Sequence, residues 1–206
     1  MTISAAIFDL GGVVLGSPIQ AFREYERSAC LPHRFVSELI LAGGHGGAWS
    51  RFERGELGMP EFVAVFDAEA GSQPGFSGAA LMQAVAASGV IRPRVVSAIR
   101  TLRQSGLKTA ALTNNWESDD QSSKMETLRP EFDIFIESWR VNMRKPDPRI
   151  YEHACKLLSV APSQVVYLDD LGANLKPARA MGMTTIKVVD EDQALSELGA
   201  AVGMNL

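Results

Sequence analysis

The feature that most constrains this chain is a short apolar run, Ala5–Phe8, that ends on a carboxylate, Asp9, and breaks at once into Gly11-Gly12. A run apolar at every position suits a strand covered on both faces, and the glycine pair turns the chain at its carboxyl end. Three more strand-like runs follow, Thr109–Leu112, Val165–Leu168 and Thr184–Val188, and Ile134–Ile136 adds a shorter one. Amphipathic stretches separate them. Arg94–Gln104 sets Val95, Ile99 and Leu102 on one helical face, and Ile150–Leu158 does the same with Ile150, Ala154, Leu157 and Leu158. Ala173–Met181 is a third helix, closed by Gly182. Strands alternating with helices imply an α/β fold, a parallel sheet with helices on both faces.

Residues 17–91 read differently. They hold no β-branched strand run, only helical stretches broken by Pro32, Gly43–Gly47, Pro60 and the loop Gly71–Gly78. The expected organisation is a catalytic core from residues 1–16 and 92–206, with a helical cap, 17–91, inserted after the first strand.

Composition closes off several classes. With 46% hydrophobic and 21% charged residues, the 206-residue chain can bury an ordinary core. A net charge of −4 argues against a chain built to coat nucleic acid or an anionic membrane. Cys30 and Cys155 form no CxxC pair, so neither a disulfide framework nor a zinc site is expected. The apolar N-terminus lacks a basic leader and carries Asp9 inside its run, and no stretch of 18 apolar residues occurs. The expectation is a cytoplasmic protein with no membrane or nucleic-acid partner.

The chemistry lies at the strand ends. Asp9 ends the first strand, Thr113-Asn114 the second, and Asp169-Asp170 a later one; Lys145, in the loop MRKPDPRIY, can reach the same mouth. In an open α/β sheet the carboxyl ends of the strands form the ligand crevice. Singly, each residue has an ordinary use as turn former, helix cap or solvated lysine. Jointly, they answer one electrostatic problem. A carboxylate attacking a phosphate dianion is repelled, and Mg²⁺ held by oxygen ligands, with a lysine and neutral donors, neutralises both sides. An aspartyl-phosphate then forms and is hydrolysed.

FDLGGVV, the LTNN at Leu112–Asn115, RKPDPRIY at Arg144–Tyr151 and YLDDLGANL at Tyr167–Leu175 resemble the four ordered motifs of haloacid dehalogenase-like hydrolases. Within that superfamily they look like the branch of the N-terminal phosphatase domain of soluble epoxide hydrolase and the N-terminal domain of acyl-CoA dehydrogenase family member ten. The resemblance implies a Rossmann-like core and a small phosphorylated substrate. It makes Asp9 the nucleophile, and Asp9, the Gly11 carbonyl, Asp169 and Asp170 the magnesium ligands. Thr113 and Asn114 would bind the phosphoryl oxygens, and Lys145 would neutralise nucleophile and phosphate. Asn174 stands where relatives place a further polar contact, or else faces solvent from its helix.

Two features depart from or add to that pattern. Most phosphatases of the superfamily carry an acid/base Asp two residues after the nucleophile; here the position is Gly11. The chain would then favour good leaving groups or use another proton donor, or it is a weakened phosphate-binding or regulatory module, or a dehalogenase. Retention of Asp169-Asp170 speaks against the last. Separately, the segment Gly43–Glu53 offers His45, Trp49 and Arg51 as substrate-facing cap residues, or else Trp49 and Phe52 as cap core. His33 and His153 read as helix-surface residues, and Trp116 as either pocket wall or roof of the core.

Overall fold

A computed structural model describes residues 2–117 and 119–206. After β1 (Ala5–Phe8) come five helices, α1 (Pro18–Ser28), α2 (Phe35–Gly43), α3 (Ala48–Glu53), α4 (Met59–Ala70) and α5 (Gly78–Ser88). The chain continues with α6 (Pro93–Gln104), β2 (Lys108–Thr113), α7 (Asp119–Leu128), β3 (Ile134–Glu137) and the single turn α8 (Ser138–Val141). It closes with α9 (Pro148–Leu158), β4 (Val165–Asp169), α10 (Gly172–Ala180), β5 (Thr184–Lys187) and α11 (Glu191–Val202).

The five strands form one sheet in the order β3-β2-β1-β4-β5, every neighbouring pair parallel. β1 is central, and all four of its residues are fully buried. Alternate side chains serve opposite faces. Ala6, Phe8, Val166 and Leu168 pack with Val95, Ile99 and Leu102 of α6 and Leu198 of α11. Ala5, Ile7, Val165 and Tyr167 pack with Ile150, Tyr151 and Ala154 of α9 and with Leu175 and Ala178 of α10. Each such Val, Leu, Ile or Phe side chain contributes about 1.5–3 kcal/mol on burial. A β-run apolar on both faces is the direct consequence.

Proline moves two helix starts from where apolar periodicity puts them. α6 begins at Pro93 and α9 at Pro148, each proline in the first turn, where its missing N–H costs nothing and its φ is already helical. The Asp147 side chain caps α9 by accepting from the Arg149 N–H at 3.0 Å.

Helices α1 to α5 hold a third cluster, built from Phe22, Trp49, Phe52, Phe62 and Phe66 and joined by Trp116 from beyond β2. Phe52 stacks on Phe62 at 4.2 Å and on Trp116 at 5.1 Å. The two segments that connect this layer to the sheet run side by side: the Gly16 N–H donates to Val90 O and the Arg92 N–H to Val14 O, both at 2.9 Å. A Cβ on Gly16 would lie 2.6 Å from the Ser88 carbonyl oxygen, so this close approach requires glycine.

Candidate active site

The register of the sheet assembles the site. Phe8 pairs with Leu168 across β1 and β4, so Asp9 and Asp169, the next residues along, stand side by side at the carboxyl edge. The chain leaves β1 toward β2 and later returns to β1's other flank through β4, and this reversal opens a crevice at that edge. Oxygens of Asp9, Asp169 and Asp170 all lie within 4.8 Å of one another. Lys145, 1% exposed, places its Nζ 2.8 Å from Asp9 Oδ1 and 2.8 Å from Asp169 Oδ2.

The carboxylates have distinct environments. Asp169 is fully buried and serves four donor groups: Lys145 Nζ, the Tyr167 hydroxyl, the Leu171 N–H at 2.8 Å, and Asn174 Nδ2 at 3.0 Å to each oxygen. Asp9 and Asp170, by contrast, line a cavity of about 210 Å³ together with Gly11, Asn114, Lys145 and Asn174. Asp170 accepts from the Ser17 hydroxyl at 3.3 Å, and Gly12 lies so close that a Cβ there would sit 2.2 Å from Asp170 Oδ2.

Burial raises the Asp9 carboxyl well above its usual range; Lys145 opposes this, while Asp169 and Asp170 add to it. Asp170 is pushed up to about 6 by burial and then by Asp169. Burial lowers the Lys145 ammonium, but Asp169 and Asp9 outweigh it and hold the lysine above its usual value. Three carboxylates against one ammonium leave the cluster short of positive charge. A hard divalent cation with oxygen ligands fits that donor set and that deficit.

Several expected residues have other settings. Asn114 lines the cavity, but its carboxamide brackets the lysine loop, accepting from the Lys145 N–H at 2.8 Å and donating to Lys145 O at 3.0 Å. Thr113 ends β2, buried, and lines a second cavity of about 110 Å³. Asn174 is buried against Asp169 and does not face solvent. Trp49 lies in the core of the helical layer and also forms cavity wall, donating through Nε1 to Glu53 Oε1 at 2.9 Å. His45 and Arg51 do not come to either cavity. His45 is exposed, with its carbonyl oxygen accepting from Arg54 at 3.0 Å, and Arg51 pairs with Glu56 at 3.6 Å. His33 lies in the turn before α2, not on a helix. Trp116 is both roof and wall, lining the second cavity.

Residues the motifs left unassigned complete the site. Tyr167 lies two residues before Asp169 on the same face of β4, a spacing visible in the sequence. Arg144 and Glu53 form an ion pair at 2.6 Å across the helical layer and the core, and both line the larger cavity. Nothing in residue spacing joins positions so distant in the chain.

The fold and this carboxylate–lysine cluster define a hydrolase of the α/β type with its site under a helical layer. The model of haloacid dehalogenase-like hydrolases matches residues 3–182, and the chain belongs to that family. It is 36% identical to bifunctional epoxide hydrolase 2 of Sus scrofa, over 100% of this chain and 40% of that protein. It is 35% identical to acyl-CoA dehydrogenase family member 10 of Mus musculus, over 98% of this chain and 19% of that one. The chain thus spans less than half the length of these two relatives. A sesquiterpene phosphatase of Aspergillus oryzae is 28% identical over 98% of each chain. Among solved structures, a family enzyme from Bacteroides thetaiotaomicron, in complex with magnesium and inorganic phosphate, shares the fold with a TM-score of 0.66 at 20% identity, covering 92% of this chain and 96% of its own. No helix among the described residues is long and apolar enough to cross a membrane.

Proposed function

We propose that the protein is a magnesium-dependent phosphatase that hydrolyses a small phosphorylated metabolite through an aspartyl-phosphate on Asp9. The observation that carries this reading is the buried cluster in which Lys145 bridges Asp9 and Asp169 while Asp170 stands beside them. Asp9, Asp169, Asp170 and the Gly11 carbonyl would hold the ion; when bound, Mg²⁺ screens nucleophile and phosphoryl group from each other. Lys145 holds the Asp9 carboxylate oriented and offsets charge on the incoming phosphate. Asn114 fixes the lysine loop, Asn174 and Tyr167 fix Asp169, and the Thr113 hydroxyl supplies a neutral donor at the rim. A fungal relative named as a phosphatase and a fold relative bound to magnesium and phosphate support the reaction class.

Gly11 brings no acid to the leaving group. The substrate is therefore one whose leaving group needs little protonation, and the second cavity suits an apolar one, since Leu10, Leu15, Val85, Trp116 and Met125 help line it. Aryl and acyl phosphates meet both conditions. The test is a magnesium-dependent phosphate-release screen over aryl, acyl, sugar, lipid and nucleotide phosphates, with Asp9→Asn as the control. A flat screen with intact binding of a phosphate analogue contradicts the enzyme and favours a phosphate-binding module.

A further inference from the structure

Glu53 stands at the junction of the two cavities and lines both, together with Gly11, Pro18, Trp49 and Asn114. Its position is fixed from two sides. The Ser138 hydroxyl donates to its backbone oxygen, and Arg144 Nε donates to Oε2 at 2.6 Å. Trp49 Nε1 donates to Oε1 at 2.9 Å, and Arg144 is itself held by the Ser50 hydroxyl at 3.2 Å. The carboxylate is held by a guanidinium and an indole N–H, with its side chain 8% exposed. A carboxylate has about four lone-pair sites, so with these two bonds made it can still accept a proton. Lys145, Asp9 and Asp170 line the same cavity, and Arg144 is the direct partner of Glu53. A volume of about 210 Å³ takes a phosphoryl group and a water beside it, a water's share of liquid being about 30 Å³.

We infer that Glu53 is the proton acceptor for the water that hydrolyses phosphoryl-Asp9, a role that rests on the phosphatase reading above. In that step the water oxygen bonds to phosphorus and the bond from phosphorus to the Asp9 oxygen breaks. The electron pair returns to Asp9, and the water's proton goes to Glu53, which later releases it to solvent. The first step stays unassisted, the leaving group departing as its anion and taking a proton from solvent. Catalysis is thus divided: Gly11 leaves formation of the phosphoryl-enzyme without an acid, and a cap residue assists its hydrolysis.

The experiment is rapid-mixing kinetics with p-nitrophenyl phosphate and Mg²⁺, followed by acid quench and intact mass. Glu53→Gln keeps the shape and the Trp49 bond. It should release nitrophenolate in the first turnover at the wild-type rate, then stall, with steady turnover lower by about 10²–10⁴-fold and phosphoryl-enzyme accumulating. Arg144→Gln keeps the carboxylate and should not accumulate phosphoryl-enzyme. The inference is overturned if Glu53→Gln slows burst and steady state together, leaves turnover unchanged, or is matched in accumulation by Arg144→Gln. Should Glu53→Gln fail to fold, Glu53→Asp takes its place, and a burst and steady state slowed together in that variant overturn the inference equally. Absence of phosphoryl-enzyme and of phosphate release in every form refutes instead the phosphatase reading beneath it.

Discussion

Two adjacent glycines give a sharp contrast. At Gly12 φ is +79°, and an added Cβ would lie 2.2 Å from Asp170 Oδ2 and 2.4 Å from its Cγ. At Gly11, which lies outside the left-handed region, the nearest atom would be Pro18 Cδ at 3.2 Å, a contact relieved by a few tenths of an ångström. Gly12→Ala therefore incurs about 1–2 kcal/mol for a left-handed backbone. It also forces Asp170 off its rotamer, at about 0.5–1.5 kcal/mol, and away from Ser17. A chain of this size loses roughly 2–4 °C of Tm per kcal/mol, so a fall on the order of 3–14 °C follows. Because the displaced group is a proposed ligand, stabilisation by added Mg²⁺ should also disappear. Gly11→Ala should keep most of both. Paired thermal melts of the two variants, with and without Mg²⁺, read the difference. If Gly12→Ala melts with Gly11→Ala and responds equally to the ion, the packing of Gly12 against Asp170 does not build the site.

Three further outcomes follow from other parts of the structure. Burial raises the Glu137 carboxyl, but hydrogen bonds from Arg129, Asn115 and Arg140 outweigh it and hold it below its ordinary 4.5; its stabilisation is complete at neutral pH and lost as pH falls through and below that value. Glu137→Gln should cost about 1–3 kcal/mol at pH 7 and less at pH 3 to 4, and a loss that is independent of pH in urea titrations contradicts this. Trp49→Ala should cost about 3–5 kcal/mol and shift KM, while His45→Ala and Arg51→Ala should leave stability and substrate preference near wild type; a changed kcat/KM ratio between two substrates in either would return that residue to the site. Plots of log kcat/KM against leaving-group pKa should be steep for the natural protein, and Gly11→Asp should raise alkyl-phosphate turnover by up to about 10²–10⁴-fold and aryl-phosphate turnover less; a flat natural plot means a proton donor is already present.

The sheet and its edge were legible because both are periodic. Apolar runs such as Ala5–Phe8 and Val165–Leu168 can only be covered strands, and polar residues at their carboxyl ends must share one crevice. Asn114 shows the limit of that reasoning. Its type and place suit a ligand contact and it lines both cavities, but its bracketing of the Lys145 backbone is a second role that spacing does not show. His45 and Arg51 show another limit, since a glycine-rich lead-in fixes neither the direction of α3 nor which side meets the core. Glu53 sits one helical turn from Trp49 but reaches Arg144 only through packing of the helical layer on the sheet, a contact between residues far apart in the chain. Tyr167 was recoverable from its two-residue spacing to Asp169.

The central claim is that Asp9 is a phosphoryl acceptor working with a divalent ion. Its most direct test is phosphate release from an aryl phosphate by the wild-type protein and Asp9→Asn, each with Mg²⁺ and with excess chelator. The account gives turnover only in the wild-type protein with Mg²⁺, restored after chelation by adding the ion back, while Asp9→Asn stays folded and inactive. Full turnover in excess chelator, or in Asp9→Asn, contradicts it.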